Sequence, residues 1–196
     1  MKTILITLST IFLSLIVNSD KPIDRIGVKG PLVFDKTNFN LVWSDKPSEI
    51  YYIQEYLPDG EKLESFSQMM TIHLFETDLK TNDAVEQKVK ELTERKKTDP
   101  ICNYQVTKSP DGKEFIVDFL LGESKDNKMT IVEFNIYRYK QIETSKNKKG
   151  IIVYAFSKRS YGEDISSFFK TLKVDRDNYL NQMITTDIPT VKLNRK

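Results

Sequence analysis

The 196-residue chain contains few of the side chains that most often carry nucleophilic or metal chemistry. It has one cysteine, Cys102, and one histidine, His73. One thiol cannot form an intrachain disulfide, and a nucleophilic cysteine needs a histidine or another cation that lowers its pKa. We therefore interpret Cys102 as a small buried residue at a strand edge rather than as a reactive thiol. His73 is interpreted as a half-exposed strand residue rather than as a general base or a metal ligand.

The common catalytic and cofactor motifs are also missing. The sequence has no G-x-S-x-G, no H-E-x-x-H, no C-x-x-C and no glycine-rich loop of the kind that cradles phosphate. A zinc site needs three or four converging ligands, and the acids that follow His73, Glu76 and Asp78, are ordinary for a loop. No cofactor and no metal are predicted.

Charge of one sign is not in excess. The chain has 30 lysines and arginines against 28 aspartates and glutamates, so its formal net charge is +2. A near-neutral total lacks the basic footprint of a duplex-binding protein, and no nucleic-acid partner is predicted. The 11 phenylalanines, 9 tyrosines and single tryptophan exclude a disordered chain, and the length fits one folded domain.

The first 19 residues have the features of a secretory signal peptide. Lys2 precedes an apolar run over residues 4–17, and Val17 and Ser19 lie three and one residues before the bond to Asp20. The run is shorter than the roughly 20 residues that a membrane-spanning helix needs. We therefore expect cleavage after about Ser19 and no lasting membrane anchor. Because small secreted eukaryotic domains are usually rich in disulfides, the sequence predicts a bacterial protein, periplasmic or secreted.

The rest of the chain predicts one domain with a tail. Residues 20–31 are polar and predict an extended lead-in, residues 32–185 predict a single α+β domain, and residues 186–196 predict a loose tail. Short alternating or β-branched segments bounded by turn residues indicate about seven strands, in one run before the first helix and another after it.

A helix separates the two runs of strands. Asp83 and Glu86, three residues apart, predict a capping box at the start of a helix over residues 83–97. Lys88 is assigned to the wet faces of this helix. Its apolar stripe is formed by Val85, Val89 and Leu92.

Helical spacing returns near the end of the chain. An amphipathic helix is predicted over residues 164–172 and a weaker one over residues 176–183. Because the strands arrive in runs with short connections, their pairing is expected to be antiparallel. The predicted fold is α+β, with a single antiparallel meander sheet of about seven strands covered by two or three helices.

This order of elements resembles a known fold family. Hairpin strands, a helix, four meandering strands and a closing helix with adjacent Phe168 and Phe169 are similar to the Mog1/PsbP-like fold over residues 32–172. A local pattern also resembles small exported bacterial proteins of unknown function; it consists of Tyr52, Glu55, Tyr56, Pro58, Gly60 and Glu61, followed by Phe66 and Met69. The resemblance implies a protein that binds or scaffolds protein partners, without a shared catalytic centre.

Two acids lie inside strong strand patterns. Asp118 alternates with Ile116 and Leu120, and Glu133 alternates with Ile131. If their strands pair, the two carboxylates can approach on one face of the sheet, perturb each other's pKa and perform acid–base work. A small hydrolase or glycan-active enzyme is the corresponding alternative function. The competing interpretations are that both acids face solvent or that they pair with Arg138 or Lys140 in a purely structural role.

Tyrosine and tryptophan are more numerous than a core of this size needs. Both residues bury large areas while keeping a polar group, and they are favoured at the centres of protein interfaces. The predicted binding surface consists of Trp43, Tyr52, Glu55, Tyr56 and Tyr137; the alternative is that half of the aromatic residues line the core. The leading hypothesis is a non-enzymatic domain that binds a protein partner in or beyond the cell envelope. A tyrosine-lined face beside acids also suits a carbohydrate ligand.

Overall fold

The structure is a computed structural model that describes residues 21–144 and 148–193. The predicted signal peptide, residues 1–19, lies outside the described residues. The elements follow in chain order: β1 (Leu32–Phe34), β2 (Thr37–Ser48), β3 (Tyr51–Leu57), β4 (Gln68–Glu76), α1 (Thr81–Arg95), β5 (Asn103–Lys108), β6 (Glu114–Lys125), β7 (Lys128–Thr144), β8 (Lys148–Tyr161), a 3₁₀ turn (Gly162–Asp164) and α2 (Ile165–Thr185).

The strands form one curled antiparallel sheet in the order β1-β2-β3-β4-β8-β7-β6-β5. Every neighbouring pair except β4 and β8 is consecutive in the chain. The predicted α+β class with an antiparallel sheet is confirmed. The described residues form eight strands where about seven were expected, and two α-helices.

The two helices define two faces of the sheet. Helix α1 packs on β5, β6 and β7, and helix α2 packs on β7 and β8. Because successive side chains of a strand point to opposite faces, each strand contributes to both layers. The face under α2, the α2 face, has a core that includes Phe34, Phe39, Met70, Phe156, Phe168 and Tyr179. The face under α1, the α1 face, has a core that includes Val85, Leu92, Phe119, Tyr137 and Val153.

Of the three register shifts among the described strands, two decide on which face the candidate residues lie. The pairing of β2 with β3 shifts by one residue between Leu41 and Trp43. The pairing of β6 with β7 shifts by one residue between Glu123 and Ser124. A one-residue shift moves the side chains that follow to the other face of the sheet.

The helices differ from the predicted ones at their ends. Helix α1 begins at Thr81, and its N-cap residue, Lys80, makes no side-chain capping bond. The predicted capping box of Asp83 with Glu86 is therefore wrong. Asp83 lies inside the first turn, where its negative charge is attracted to the positive end of the helix dipole.

The two helices predicted near the end of the chain are one helix, α2. The residues between them, 173–175, include neither glycine nor proline, so nothing in the sequence breaks the helix there.

The lead-in and the tail are tied to the domain. The Gln54 side chain accepts hydrogen bonds from the backbone N–H groups of Arg25 and Ile26 and donates to the Val28 carbonyl. The Lys192 N–H donates to the Ile26 carbonyl over 2.8 Å, and Leu193 is buried. The prediction of a loose tail is therefore wrong for the described residues up to 193, because these residues pack beside the lead-in.

Candidate functional site

Three of the five residues of the predicted binding surface lie in one row across the sheet. Trp43 stands opposite Glu55 on neighbouring strands, and Glu55 stands opposite Thr71. Thr71 stands opposite Ala155, which in turn stands opposite Tyr137. The row runs over β2, β3, β4, β8 and β7 on the α1 face. Small side chains therefore separate the Trp43–Glu55 pair from Tyr137.

The bulge in β2 brings Trp43 into this row. Before the bulge, Leu41 pairs with Tyr56, which belongs to the α2 face; after it, Trp43 pairs with Glu55. Without the shift, Trp43 would stand opposite Gln54 and point to the α2 face. Bulges that re-aim a side chain recur beside functional sites.

The row is open at one end and closed at the other. Trp43 and Glu55 are partly exposed, as are Tyr51 and Ile53 on the same face. Tyr137 is only 5% exposed and lies in the core under α1, with its ring 5.0 Å from that of Phe119. The prediction of Tyr137 as a surface residue is wrong, because α1 covers this end of the row.

Tyr52 and Tyr56 lie on the α2 face and are also buried, so their prediction as surface residues is wrong. The Tyr56 hydroxyl donates to the Val28 carbonyl over 2.6 Å and accepts from the Gln54 amide over 2.7 Å. Tyr56 thus fixes the lead-in beside the core. Tyr52 packs in the same core, with the Lys46 ammonium group 5.4 Å from its ring centroid.

Glu55 is the chemically distinctive member of the row. Burial raises the pKa of its carboxyl to about 7, the nearby Glu133 adds to the rise, and Arg159 opposes it. Within the described part of the chain, no hydrogen bond or ion pair reaches this carboxylate. A partly buried acid beside a tryptophan can take a cation or a hydrogen-bond donor from outside the domain.

Glu133 forms a structural ion pair at the floor of the α1 face. The Arg159 Nε donates to Glu133 over 2.6 Å, and the Arg159 guanidinium also stacks 4.0 Å from the Phe66 ring centroid. A small cavity of about 50 Å³ adjoins the pair, lined also by Arg95 and Gly122. A space of this size holds water rather than a substrate.

Asp118 does not meet Glu133. Asp118 stands opposite Ile136 and faces α2, where Arg176 contacts its carboxylate through Nη2 at 2.6 Å and Nε at 3.0 Å. Glu133 stands opposite Leu121 and faces α1. The expectation that the two carboxylates converge is wrong, because the bulge at Thr130 of β7 puts them on opposite faces. Each pairs with an arginine, Asp118 with Arg176 and Glu133 with Arg159. The expected partners, Arg138 and Lys140, instead both bind Glu114, so that interpretation is wrong in its partners.

His73 is buried rather than half-exposed, which corrects the prediction. Its Nδ1 is 2.9 Å from the Tyr51 hydroxyl, and its ring lies between those of Tyr51 and Tyr137. Burial lowers the pKa of His73 to about 3, and the positive charge of Lys88 contributes. The imidazole is therefore neutral at physiological pH and acts as a packed aromatic residue.

Lys88 is a further residue of the α1 face whose burial the sequence analysis missed. It is 2% exposed, its Nζ lies 2.9 Å from Glu91 and 4.7 Å from the Phe119 ring centroid, and burial lowers its pKa. The signal was available, because position 88 falls between Val85 and Leu92 at helical spacing. The aliphatic stem of a lysine can fill such a position.

Cys102 is buried, as interpreted, and donates a weak hydrogen bond to the Leu92 carbonyl. Burial raises the pKa of its thiol, so Cys102 stays protonated. The residues that the structure describes hold no group of three or more histidine, cysteine or acidic side chains placed to bind a metal. Their helices also include none with the length and apolar character of a membrane span.

Comparison with known proteins identifies a family but no characterised relative. Neither the curated proteins nor the solved structures include a match to this chain, so no neighbour supports or opposes the Mog1/PsbP-like resemblance. A protein-family profile matches residues 26–188, from the buried Ile26 of the lead-in to the segment after α2. The chain therefore belongs to this family, which is uncharacterised.

Proposed function

We propose that this chain is a non-enzymatic binding protein of the bacterial cell envelope that holds a protein partner on the open end of its α1 face. This surface, the open patch, consists of Trp43, Tyr51, Ile53 and Glu55. One observation carries the proposal: Trp43 and Glu55 form a direct cross-strand pair that is partly exposed, and no described residue pairs with the carboxylate.

The composition of the open patch supports a protein partner. Tryptophan and tyrosine bury a large area at a small loss of side-chain entropy, which is why they anchor protein interfaces. A partly desolvated carboxylate is unfavourable until a donor reaches it. A lysine or arginine of the partner would supply that donor and make the contact selective for a basic segment.

Export and the finer fold assignment belong to the same proposal. The basic residue, apolar run and small residues of positions 1–19 support secretion. The sequence of hairpin strands, helix, four-stranded meander and closing helix supports a Mog1/PsbP-like sandwich. Partner binding is the role that this resemblance implies.

The hydrolase alternative is not part of the proposal. It required Asp118 and Glu133 to share one face and one cleft, at a separation of about 5–10 Å. They lie on opposite faces, and each carboxylate is bound by an arginine.

Site-specific photocrosslinking of the full chain in living bacterial cells tests the binding role. A photoreactive p-benzoylphenylalanine replaces Asp45, an exposed residue of β2 that stands opposite Ile53 in the open patch. The same residue at Val174, which is 78% exposed on α2, is the matched control. We expect a discrete crosslinked product from position 45 and none of the same mass from position 174.

The contribution of Glu55 is measured in the same cells. Glu55→Gln is expected to lower the yield of the crosslink about fivefold, the effect of losing about 1 kcal/mol of charge-assisted hydrogen bonding. Glu64→Gln, at an exposed loop residue, should leave the yield unchanged. Equal products from positions 45 and 174, or no product from position 45, would contradict the proposed function.

A further inference from the structure

Strand β5 is an unprotected edge of the sheet. It is the last strand in the order, and five of its six residues are exposed, including Val106 at 40%. Every second residue of an edge strand directs its N–H and C=O groups outward. Within the described ranges, no backbone hydrogen bond reaches residues 103–108 other than those from β6. The opposite edge, β1, has only three residues.

The edge is held in place from both faces. On the α2 face, Arg176 of α2 donates to the Gln105 side chain over 3.0 Å. On the α1 face, the Tyr104 hydroxyl lies 2.9 Å from the Thr93 hydroxyl of α1. Because β5 is already ordered, the binding of an added strand would lose little conformational entropy from β5 itself.

Two lysines flank the edge without an acidic partner. The Lys96 Nζ lies 3.5 Å from the Asn103 side-chain oxygen and 5.5 Å from the Tyr104 ring centroid. The Lys108 Nζ lies 5.5 Å from the Phe115 ring centroid. Neither ammonium group forms an ion pair with any described residue. The two cations mark the two ends of β5, on the α1 face.

We propose that the β5 edge binds an extended, acidic segment of a protein partner by adding it as a ninth strand. Backbone hydrogen bonds would supply the affinity and the two lysines the preference for acidic side chains. The proposal does not depend on the open patch, which lies at β2 and β3.

The lysines also argue against a second copy of this chain as the occupant. In a centred antiparallel pairing of two β5 strands, Lys108 of each copy would stand opposite Asn103 of the other, next to Lys96. In a parallel in-register pairing, Lys108 would stand opposite Lys108. Both arrangements bring like charges together, which disfavours pairing.

The test titrates the ¹⁵N-labelled chain with a capped hexapeptide of alternating valine and glutamate. We expect the largest amide shifts at residues 103–108. Two peptides that are N-methylated on alternate residues serve as controls, because methylation removes backbone donors without changing the charge. Only the version methylated on the amides that face β5 should lose binding, by about tenfold, which corresponds to about 1.4 kcal/mol.

Charge variants separate edge binding from nonspecific attraction. The double variant Lys96→Glu/Lys108→Glu should bind the peptide at least about fivefold more weakly, as expected for two exposed ion pairs. Lys170→Glu/Lys173→Glu, on the exposed side of α2, makes the same change in net charge and should bind normally.

Three results would overturn the proposal: no binding of the acidic peptide, equal binding of both N-methylated peptides, or shifts centred away from β5. A β5-dependent dimer in sedimentation experiments would instead identify a second copy as the occupant.

Discussion

The two faces of the sheet differ in how their buried polar groups are hydrogen-bonded. On the α2 face, Gln54 and Tyr56 form a connected set of hydrogen bonds that anchors the lead-in, beside a core of closely packed aromatic rings. On the α1 face, His73 Nε2, Asn135 Nδ2 and the Tyr139 hydroxyl are buried without a hydrogen-bond partner among the described residues. On the α2 side, the buried atoms without such a partner are Asp118 Oδ1 and, in the lead-in, Arg25 Nε.

This difference indicates that the faces have different tasks. Dense packing and a connected set of hydrogen bonds, such as the one formed by Gln54 and Tyr56, favour stability. The α1 face contains a buried lysine, polar atoms without hydrogen bonds and an unpaired acid at its open end. Each of these features lowers stability, and destabilising features of this kind concentrate at functional sites. We infer that the α2 face mainly stabilises the fold, whereas the open patch, which we propose binds a partner, lies on the α1 face.

The largest expected effect is on the α2 face. Phe156 is fully buried, and its ring centroid lies 4.5 Å from that of Phe34 and 5.4 Å from that of Tyr179. Phe156→Ala should lower the free energy of unfolding by about 3–5 kcal/mol, because it leaves a cavity. Denaturant unfolding measures this, with the exposed Val174→Ala as the control. A loss below about 1 kcal/mol would show that the α2 face is not the main core.

The next effect concerns the anchored lead-in. Gln54→Ala removes the acceptor of the Arg25 and Ile26 N–H groups and the donor to the Val28 carbonyl. We expect a loss of about 2–3 kcal/mol, since buried backbone groups are left unpaired, together with faster hydrogen exchange at residues 25–28. Gln141→Ala, at an exposed glutamine of β7, should change stability by no more than about 0.5 kcal/mol. Unchanged exchange at residues 25–28 in Gln54→Ala would show that the lead-in is held by other contacts.

A smaller effect is expected on the α1 face. Tyr51→Phe removes the hydrogen bond to His73 Nδ1 and leaves a second atom of that ring without a partner. The expected loss of stability is about 1 kcal/mol. Because Tyr51 also belongs to the open patch, the photocrosslinking yield at position 45 should fall as well. A stable variant with a normal yield would separate Tyr51 from the binding surface.

Much of the fold could be predicted from local patterns. Alternation and turn residues locate the strands, and helical spacing locates both helices. The missing information is long-range. The pairing of β4 with β8 joins segments more than 70 residues apart, so the row from Trp43 to Tyr137 has no local signature. Nor does composition tell which face a helix covers, which is why buried Tyr52, Tyr56 and Tyr137 were assigned to a surface.

A single bulge explains why the relative positions of Asp118 and Glu133 could not be predicted from the strand pattern. The two-residue turn at Asp126 and Asn127 would, if extended without interruption, put Asp118 and Glu133 on the same face. The shift between Glu123 and Ser124 separates them. No residue pattern in this segment identifies the bulge, whereas the buried Lys88 had a visible signal in its spacing to Leu92.

The most direct test of the open patch uses the only tryptophan of the chain as a reporter of Glu55. Trp43 stands opposite this carboxyl, so its fluorescence should change as Glu55 ionises. We expect a transition with a midpoint near pH 7 that is absent in Glu55→Gln; His73, with its pKa lowered to about 3, does not titrate in this range.

Stability should follow the same transition. The pKa of Glu55 is higher in the folded state than the ordinary value of 4.5, so the folded state binds the extra proton between pH 4.5 and about 7. Relative to Glu55→Gln, the native chain should therefore lose stability as the pH rises through about 7. A fluorescence midpoint near 4.5, or a transition that persists in Glu55→Gln, would contradict a desolvated, unpaired acid in the open patch.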